Sequence, residues 1–256
     1  PRLSLENVDA GWRSPYTLNY SAINTWVAEE LRATGAEITI SRRPVSLGGA
    51  HTFSVSAAAF VANDPGGSLL AWKGWSVHDR QSRLNDKLPL PPLPQIQPGM
   101  LFENQAPWVE PFVEVDDNVG FYINTDWRYG EQFMLRLMYY DNRADPEALE
   151  NGQYGWTTAF WHLGAQATLP GKIGFIAQAM TGSTVMGPVM DSWHAVDVEY
   201  ASQFALLSRA FGRHRLSVRY DHFTVTENDQ VPSDDNAEDG HAWTLAYRFN
   251  ASERIS

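Results

Sequence analysis

From Gly120 to Phe249 the chain repeats one unit: an alternating strand, a tight turn, a second alternating strand and a long acidic connection. The tight turns fall near Arg128 to Gly130, Pro170 to Lys172 and Phe211 to Arg213. The long connections run from Asn142 to Gly155, Gly182 to Trp193 and Glu227 to Gly240. Short turns at one end and long loops at the other are the pattern of an up-and-down antiparallel transmembrane β-barrel. Side chains alternate across a strand, so each segment carries one apolar face and one mixed face bearing charge. Trp243, Leu245, Tyr247 and Phe249 oppose Thr244, Ala246 and Arg248. Phe133, Leu135, Leu137 and Tyr139 oppose Met134, Arg136, Met138 and Tyr140, and Val119, Phe121, Ile123 and Trp127 oppose Tyr122, Asn124, Asp126 and Arg128. A soluble sandwich shows the same alternation with its apolar face turned inward. Loop asymmetry and aromatic placement favour the barrel: Trp127, Tyr129, Tyr139, Tyr154, Trp156, Trp193, Tyr220 and Trp243 sit near strand ends, as in the girdles that meet lipid headgroups.

Composition sets the outer limits. The 256 residues suit one all-β domain, 1–256, with no linker signal inside it. Hydrophobic content of 43% and a mean hydropathy of −0.35 do not fit a helical membrane protein. A β-barrel escapes that test because only alternate residues face lipid. The net charge of −11 argues against nucleic-acid binding, and the absence of cysteine removes disulfides, thiol catalysis and Cys-ligated metals. The chain starts at Pro1 without a signal peptide, and Asn250 to Ser256 reads as a turn into another strand, so the sequence is expected to be cut from a longer one.

Toward the amino end the pattern predicts further strands. His51 to Asn63 and Leu69 to Asp79 read as a hairpin about Asp64-Pro65-Gly66-Gly67. Ala36, Ile38 and Ile40 alternate with Glu37, Thr39 and Ser41, and Arg2 to Val8 is a further candidate. Ile23 to Ala33 is ambiguous, because Ile23, Trp26, Val27, Glu30 and Leu31 also match helical spacing. As a strand it completes a hairpin through Thr34-Gly35 and brings the count to about twelve, the even parity of bacterial barrels. Parity then places the turns at Thr34-Gly35, Asp64 to Gly67, Gly130, Gly171 and Gly212 on the periplasmic side. It makes Asp79 to Asn118 and the three long connections extracellular. Within the first of these, Leu88 to Pro94 (LPLPPLP) favours extended polyproline geometry, either folded over the mouth or into the lumen, or serving as a rigid spacer.

Three stretches carry a family resemblance: Pro170 to Gly187 (PGKIGFIAQAMTGSTVMG), Phe211 to Gln230 (FGRHRLSVRYDHFTVTENDQ) and Asp234 to Phe249 (DDNAEDGHAWTLAYRF). Together with Tyr20 to Ile40, Val119 to Trp127 and Met134 to Ala148, they resemble proteobacterial outer-membrane porin-like β-barrels. The resemblance implies a place in the outer membrane, with the lipid bilayer and lipopolysaccharide as partners. It also implies passive diffusion of small polar solutes, and it brings no catalytic motif and no cofactor. Such proteins end on an aromatic-terminated strand, whereas this sequence ends at Ser256. A plugged structural or ligand-binding barrel is the alternative, and a soluble jelly-roll sugar-binding protein or glycosidase stands beside both.

In a porin the lumen carries the function. Alternation places Glu37, Asp126, Arg136, Asp197, Glu199, Arg219, Asp221 and Arg248 inward. Both signs are present, so no single-sign selectivity ring is expected. Arg219 and Asp221 lie across one short turn from Asp197 and Glu199, which predicts cross-strand pairing. The set then either braces the interior or makes a transverse field at a constriction. Between Glu227 and Gly240 stand Glu227, Asp229, Asp234, Asp235, Glu238 and Asp239 without a basic residue. Hard oxygen ligands at that density suit calcium or magnesium, but Ala237 and a missing closing Glu break the EF-hand spacing, leaving a solvated acidic loop. Catalytic readings rest on Ser76 and His78, on His241, or on Asp197 with Glu199 as a glycosidase pair, and no nucleophile motif supports them.

Overall fold

The computed structural model describes residues 3–7, 14–32, 34–190, 192–231 and 235–251. Two helices, α1 (Ala22–Glu30) and α2 (Ser68–Lys73), accompany the strands. The strands are β1 (Thr34–Arg42), β2 (His51–Val61), β3 (Leu88–Pro89), β4 (Trp108–Val109), β5 (Gly120–Tyr129), β6 (Phe133–Asp141), β7 (Leu149–Glu150) and β8 (Gln153–Tyr154). They continue with β9 (Thr157–Leu169), β10 (Ile173–Met190), β11 (Trp193–Phe211), β12 (His214–Glu227) and β13 (Glu238–Phe249). Nine of them form one antiparallel up-and-down sheet in the order β1-β2-β5-β6-β9-β10-β11-β12-β13. The pairs β3–β4 and β7–β8 are small ribbons inside long connections. The sheet is open, with β1 and β13 as its two edges. The all-β, up-and-down character therefore holds, while the main sheet has nine strands rather than about twelve.

Alternation produces two unlike faces. On one, Ile38, Leu137, Trp161, Leu163, Trp243 and Leu245 stand exposed, Leu245 at 79%. On the other, Tyr122, Met138, Tyr140, Phe160, Ile176, Met180, Tyr200 and Phe204 are buried beneath the amino-terminal segment, α1, α2 and the long connection after α2. A soluble sandwich buries its large apolar face against a second sheet. Here the large apolar side chains on the open face have no covering layer among the described residues.

Helix α1 corrects the strand expected from Ile23 to Ala33 (Ala33 itself lies outside the described residues). Ser21 caps it, its Oγ accepting from the Asn24 amide at 3.3 Å, and all nine helical residues are buried. The helical spacing of Ile23, Trp26 and Val27 thus prevailed over barrel parity. Trp26 meets Phe160, Tyr200 and Trp75 edge-on, with centroids 5.3–5.8 Å apart. The expected strand from Leu69 to Asp79 is also replaced. Gly67 takes φ of 114°, a left-handed value suited to glycine, and α2 follows it. Strand β2 therefore pairs with β5. Residues 3–7 form no strand but lie against the sheet with Leu3, Leu5 and Glu6 buried, Leu5 N–H donating to Gln178 Oε1 at 3.0 Å; Arg2 and Val8 lie outside the described residues.

These changes move two turns to the other end of the sheet. Strand β1 joins β2 through residues 43–50, and the Gly130 amide donates to the Ala50 carbonyl, which places that connection with the short turns. Thr34-Gly35 and Asp64 to Gly67 lie instead at the end of the long connections, beside Gly120 and Asn142. Most of Gly182 to Trp193, expected as a loop, continues β10 and β11 as a paired extension with a register shift between Met186 and Val189. The polyproline segment packs onto the core: Leu88 is buried, and Leu90, Leu93 and Ile96 pack against the main apolar cluster.

Candidate functional site: the covered face

The covered face carries the polar chemistry, and its centre is Arg219. A guanidinium in a core needs all its donors satisfied and its charge matched. Arg219 has no exposed surface. Its Nε donates to Asp221 Oδ2 at 2.8 Å, and Nη1 donates to the Asn19 carbonyl at 2.9 Å and to Thr17 Oγ1 at 3.1 Å. Nη2 donates to the Tyr20 carbonyl at 2.7 Å, and Glu6 Oε2 lies 3.4 Å from Nη1. Both acids also hold the start of α1: Glu6 Oε1 accepts from the Ser21 amide at 2.7 Å, and Asp221 Oδ1 from the Ala22 amide at 3.1 Å. Carboxylates at a helix N-terminus satisfy its orphan donors and complement its dipole. Burial pushes Glu6 above the ordinary carboxylate range, and Arg219 pulls it back only in part.

Around this centre lie three further constellations. Arg136 and Asp126 face each other across β5 and β6 in a bidentate pair, Nε to Oδ1 at 2.6 Å and Nη2 to Oδ2 at 2.8 Å. Gln178 joins the amino-terminal segment to the sheet, accepting from Asn24 Nδ2 at 2.9 Å and meeting His162 Nε2 at 2.7 Å. At the other end of α1, Glu30 accepts from Trp26 Nε1, Ser68 Oγ and the amides of Leu69 and Leu70. One carboxylate thus caps α2 from inside the core. Burial pushes Glu30 up to about 7 despite these donors.

The described residues hold one acidic cluster with metal-ligand spacing. Asp64, Glu114 and Asp116 offer oxygens within 4.8 Å of one another. Asp64 Oδ2 accepts from the Val115 amide at 2.6 Å, and Asp116 accepts from the Asp145 amide. Burial, with Glu114 and Asp116 adding to it, pushes Asp64 up to about 7. These three oxygens suit a hard divalent cation or a shared proton. The connection from β12 to β13, expected as a solvated acidic loop, spends carboxylates on backbone amides of its own and of β11. Asp229 accepts from the amides of Asp197 and Val231, and Glu227 from that of Asn236. Asp234 lies outside the described residues.

Of the residues expected to face inward, Asp126, Arg136, Arg219 and Asp221 are buried on the covered face. Glu37 and Arg248 lie on the same face of the two edge strands. Tyr122 donates to Glu37 at 2.7 Å, and Arg248 Nε donates to Asn250 Oδ1 at 3.0 Å. Asp197 and Glu199 do not join them. They alternate with buried Val196, Val198 and Tyr200, so both carboxylates lie on the open face. Arg219 is in register with Leu206, far along β11 from either acid, and its partner is Glu6 instead. The register of β11 against β12 is the reason: Glu199 faces Thr226, at the other end of the hairpin from the turn. Sequence reasoning missed Glu6, Gln178 and Glu30. The signal available for Glu30 was its place in the apolar spacing Ile23, Trp26, Val27, Glu30, where an acid on the buried stripe requires donors.

No family model, curated protein or solved structure matches the chain.

Proposed function

We propose that this chain forms part of the wall of an outer-membrane β-barrel whose interior is filled by its own amino-terminal segment and helices. The carrying observation is the inversion of polarity across one sheet. Arg219, Asp221, Arg136 and Asp126 are buried on the covered face, while Trp161, Leu163, Trp243 and Leu245 are exposed on the other. Water offers no reason to expose that apolar row, and hydrocarbon does. The covered face then works as a braced plug, a structural or ligand-holding interior rather than a wide pore. The bilayer and lipopolysaccharide are its surroundings on this reading.

One observation favours a second reading, the porin-like passage of small polar solutes. A cavity of about 620 Å³ lies between Ser14 to Leu18 and the edge strand β13, lined by Tyr16, Tyr20, Asp79 and Arg248. Arg248, expected in the lumen, borders it. Planar-bilayer recording of the full-length protein separates the two readings. Ohmic conductance that changes in Arg248→Gln supports passage, and a silent bilayer containing inserted protein supports the plug. Extraction of the native protein from membranes without detergent would remove both.

A further inference from the structure

The open face is not uniformly convex. Three depressions of about 380, 340 and 240 Å³ follow one another along β11, the first two sharing Leu163, Ala179 and Gln203 and the third starting at Leu207, the next outward residue after Ala205. Their floor is the outward file Ala201, Gln203, Ala205 and Leu207, with Ala177 and Ala179 beside it on β10. Leu163 and Trp161 wall one side; Tyr220, Leu216 and Leu245 wall the other. Small side chains between tall ones leave a trough that parallel hydrocarbon can fill with close contact.

Charge gives the trough a direction. The file on β11 carries Asp197 and Glu199 toward the long-connection end and Arg209 toward the short-turn end, where Phe211 follows it. Arg209 is in register with Ile173 on one side and Leu216 on the other, and Lys172 precedes Ile173 in the β9–β10 turn. No carboxylate pairs with Arg209 or Lys172 among the described residues. From Gln203 to Arg209 is six residues, about 20 Å of strand, enough for the chain region of one leaflet in a hydrocarbon core of about 30 Å.

We infer that this trough is a binding site for an anionic phospholipid, its phosphate at Arg209 and Lys172 and one acyl chain lying along Leu207, Ala205 and Ala177. The inference rests on the lipid-facing reading above. The headgroup is selected by two unpaired cations at one end and excluded by two carboxylates at the other. The chain is held by apolar surface that has no covering layer of protein.

The test reconstitutes the full chain in phosphatidylcholine vesicles containing a trace of spin-labelled phosphatidylglycerol or spin-labelled phosphatidylcholine. Electron spin resonance reads the motionally restricted fraction of each. Wild-type protein should restrict the anionic probe more strongly, by about fivefold in relative affinity for each cation engaged. Lys172→Gln with Arg209→Gln should equalise the two probes. Ala205→Phe, which fills the trough without touching charge, should reduce restriction of both. Equal restriction of the two probes by inserted wild-type protein overturns the inference and leaves the lipid-facing reading intact. Failure of the protein to float with the vesicles overturns the lipid-facing reading itself. Efficient dimer formation by Ala179→Cys in place of probe restriction assigns the trough to a second copy and also overturns the inference.

Discussion

Arg219→Met is the sharpest perturbation of the covered face. It removes the only cation within contact of Glu6 and Asp221 among the described residues and nearly preserves volume. Four hydrogen bonds at or below 3.1 Å disappear, to Asp221, Asn19, Thr17 and Tyr20. Two carboxylates then remain buried without a counterion, a situation that costs about 3–5 kcal/mol. For a domain of this size that corresponds to a melting-temperature loss of about 6–20 °C. In a Glu6→Gln, Asp221→Asn background the stranded charges are gone, and what persists is the loss of donors to two carbonyls and a hydroxyl. The same Arg219→Met change should then cost about 1–3 kcal/mol. Thermal unfolding in detergent micelles, followed by far-ultraviolet circular dichroism, measures all four variants. An Arg219→Met loss below about 1 kcal/mol, or an equal loss in both backgrounds, would refute the bracing role.

Three further outcomes follow from the same geometry. Glu30 ionises near 7 when folded and near 4.5 when unfolded, so the unfolded chain binds fewer protons between these values and stability should fall as pH rises through that window. Glu30→Gln should flatten that slope, and an unchanged slope in urea titrations at pH 4.5 and 7.5 would contradict the assignment. Leu245→Arg should cost about 2–4 kcal/mol in vesicles if the residue lies near the midplane, whereas a neutral result would take Leu245 out of the hydrocarbon. Asp197→Asn with Glu199→Gln should be additive with Arg219→Met to within about 0.5 kcal/mol, since these groups lie on opposite faces of the sheet; a coupling above 1 kcal/mol by double-mutant cycle would restore the pairing expected from sequence.

The alternating strands from Gly120 onward were legible because period-two patterning survives whichever solvent covers the apolar face. Arg136 with Asp126, and Arg219 with Asp221, could be placed on one face for the same reason. Asp197 and Glu199 were misplaced because they alternate with Val196, Val198 and Tyr200: an apolar file reads as the lipid-facing one, whereas here it is buried on the covered face. Helix α1 was hidden by the demand for even parity, although Ser21 and the spacing of Ile23, Trp26 and Val27 carried its signature. Glu6 was not legible at all. Its partner is 213 residues away, and no local pattern marks an acid that will meet a buried arginine across the fold.

Contact of the exposed apolar row with hydrocarbon can be read directly from the depth of labels on the two faces. Single cysteines at Leu137 and Leu245, with Met138 and Thr244 as controls on the covered face, can carry a fluorophore into vesicles of brominated lipid. Strong quenching at Leu137 and Leu245 with little at Met138 and Thr244 is the predicted result. Equal quenching at all four positions, or none at Leu137 and Leu245 in protein that floats with the vesicles, would contradict it.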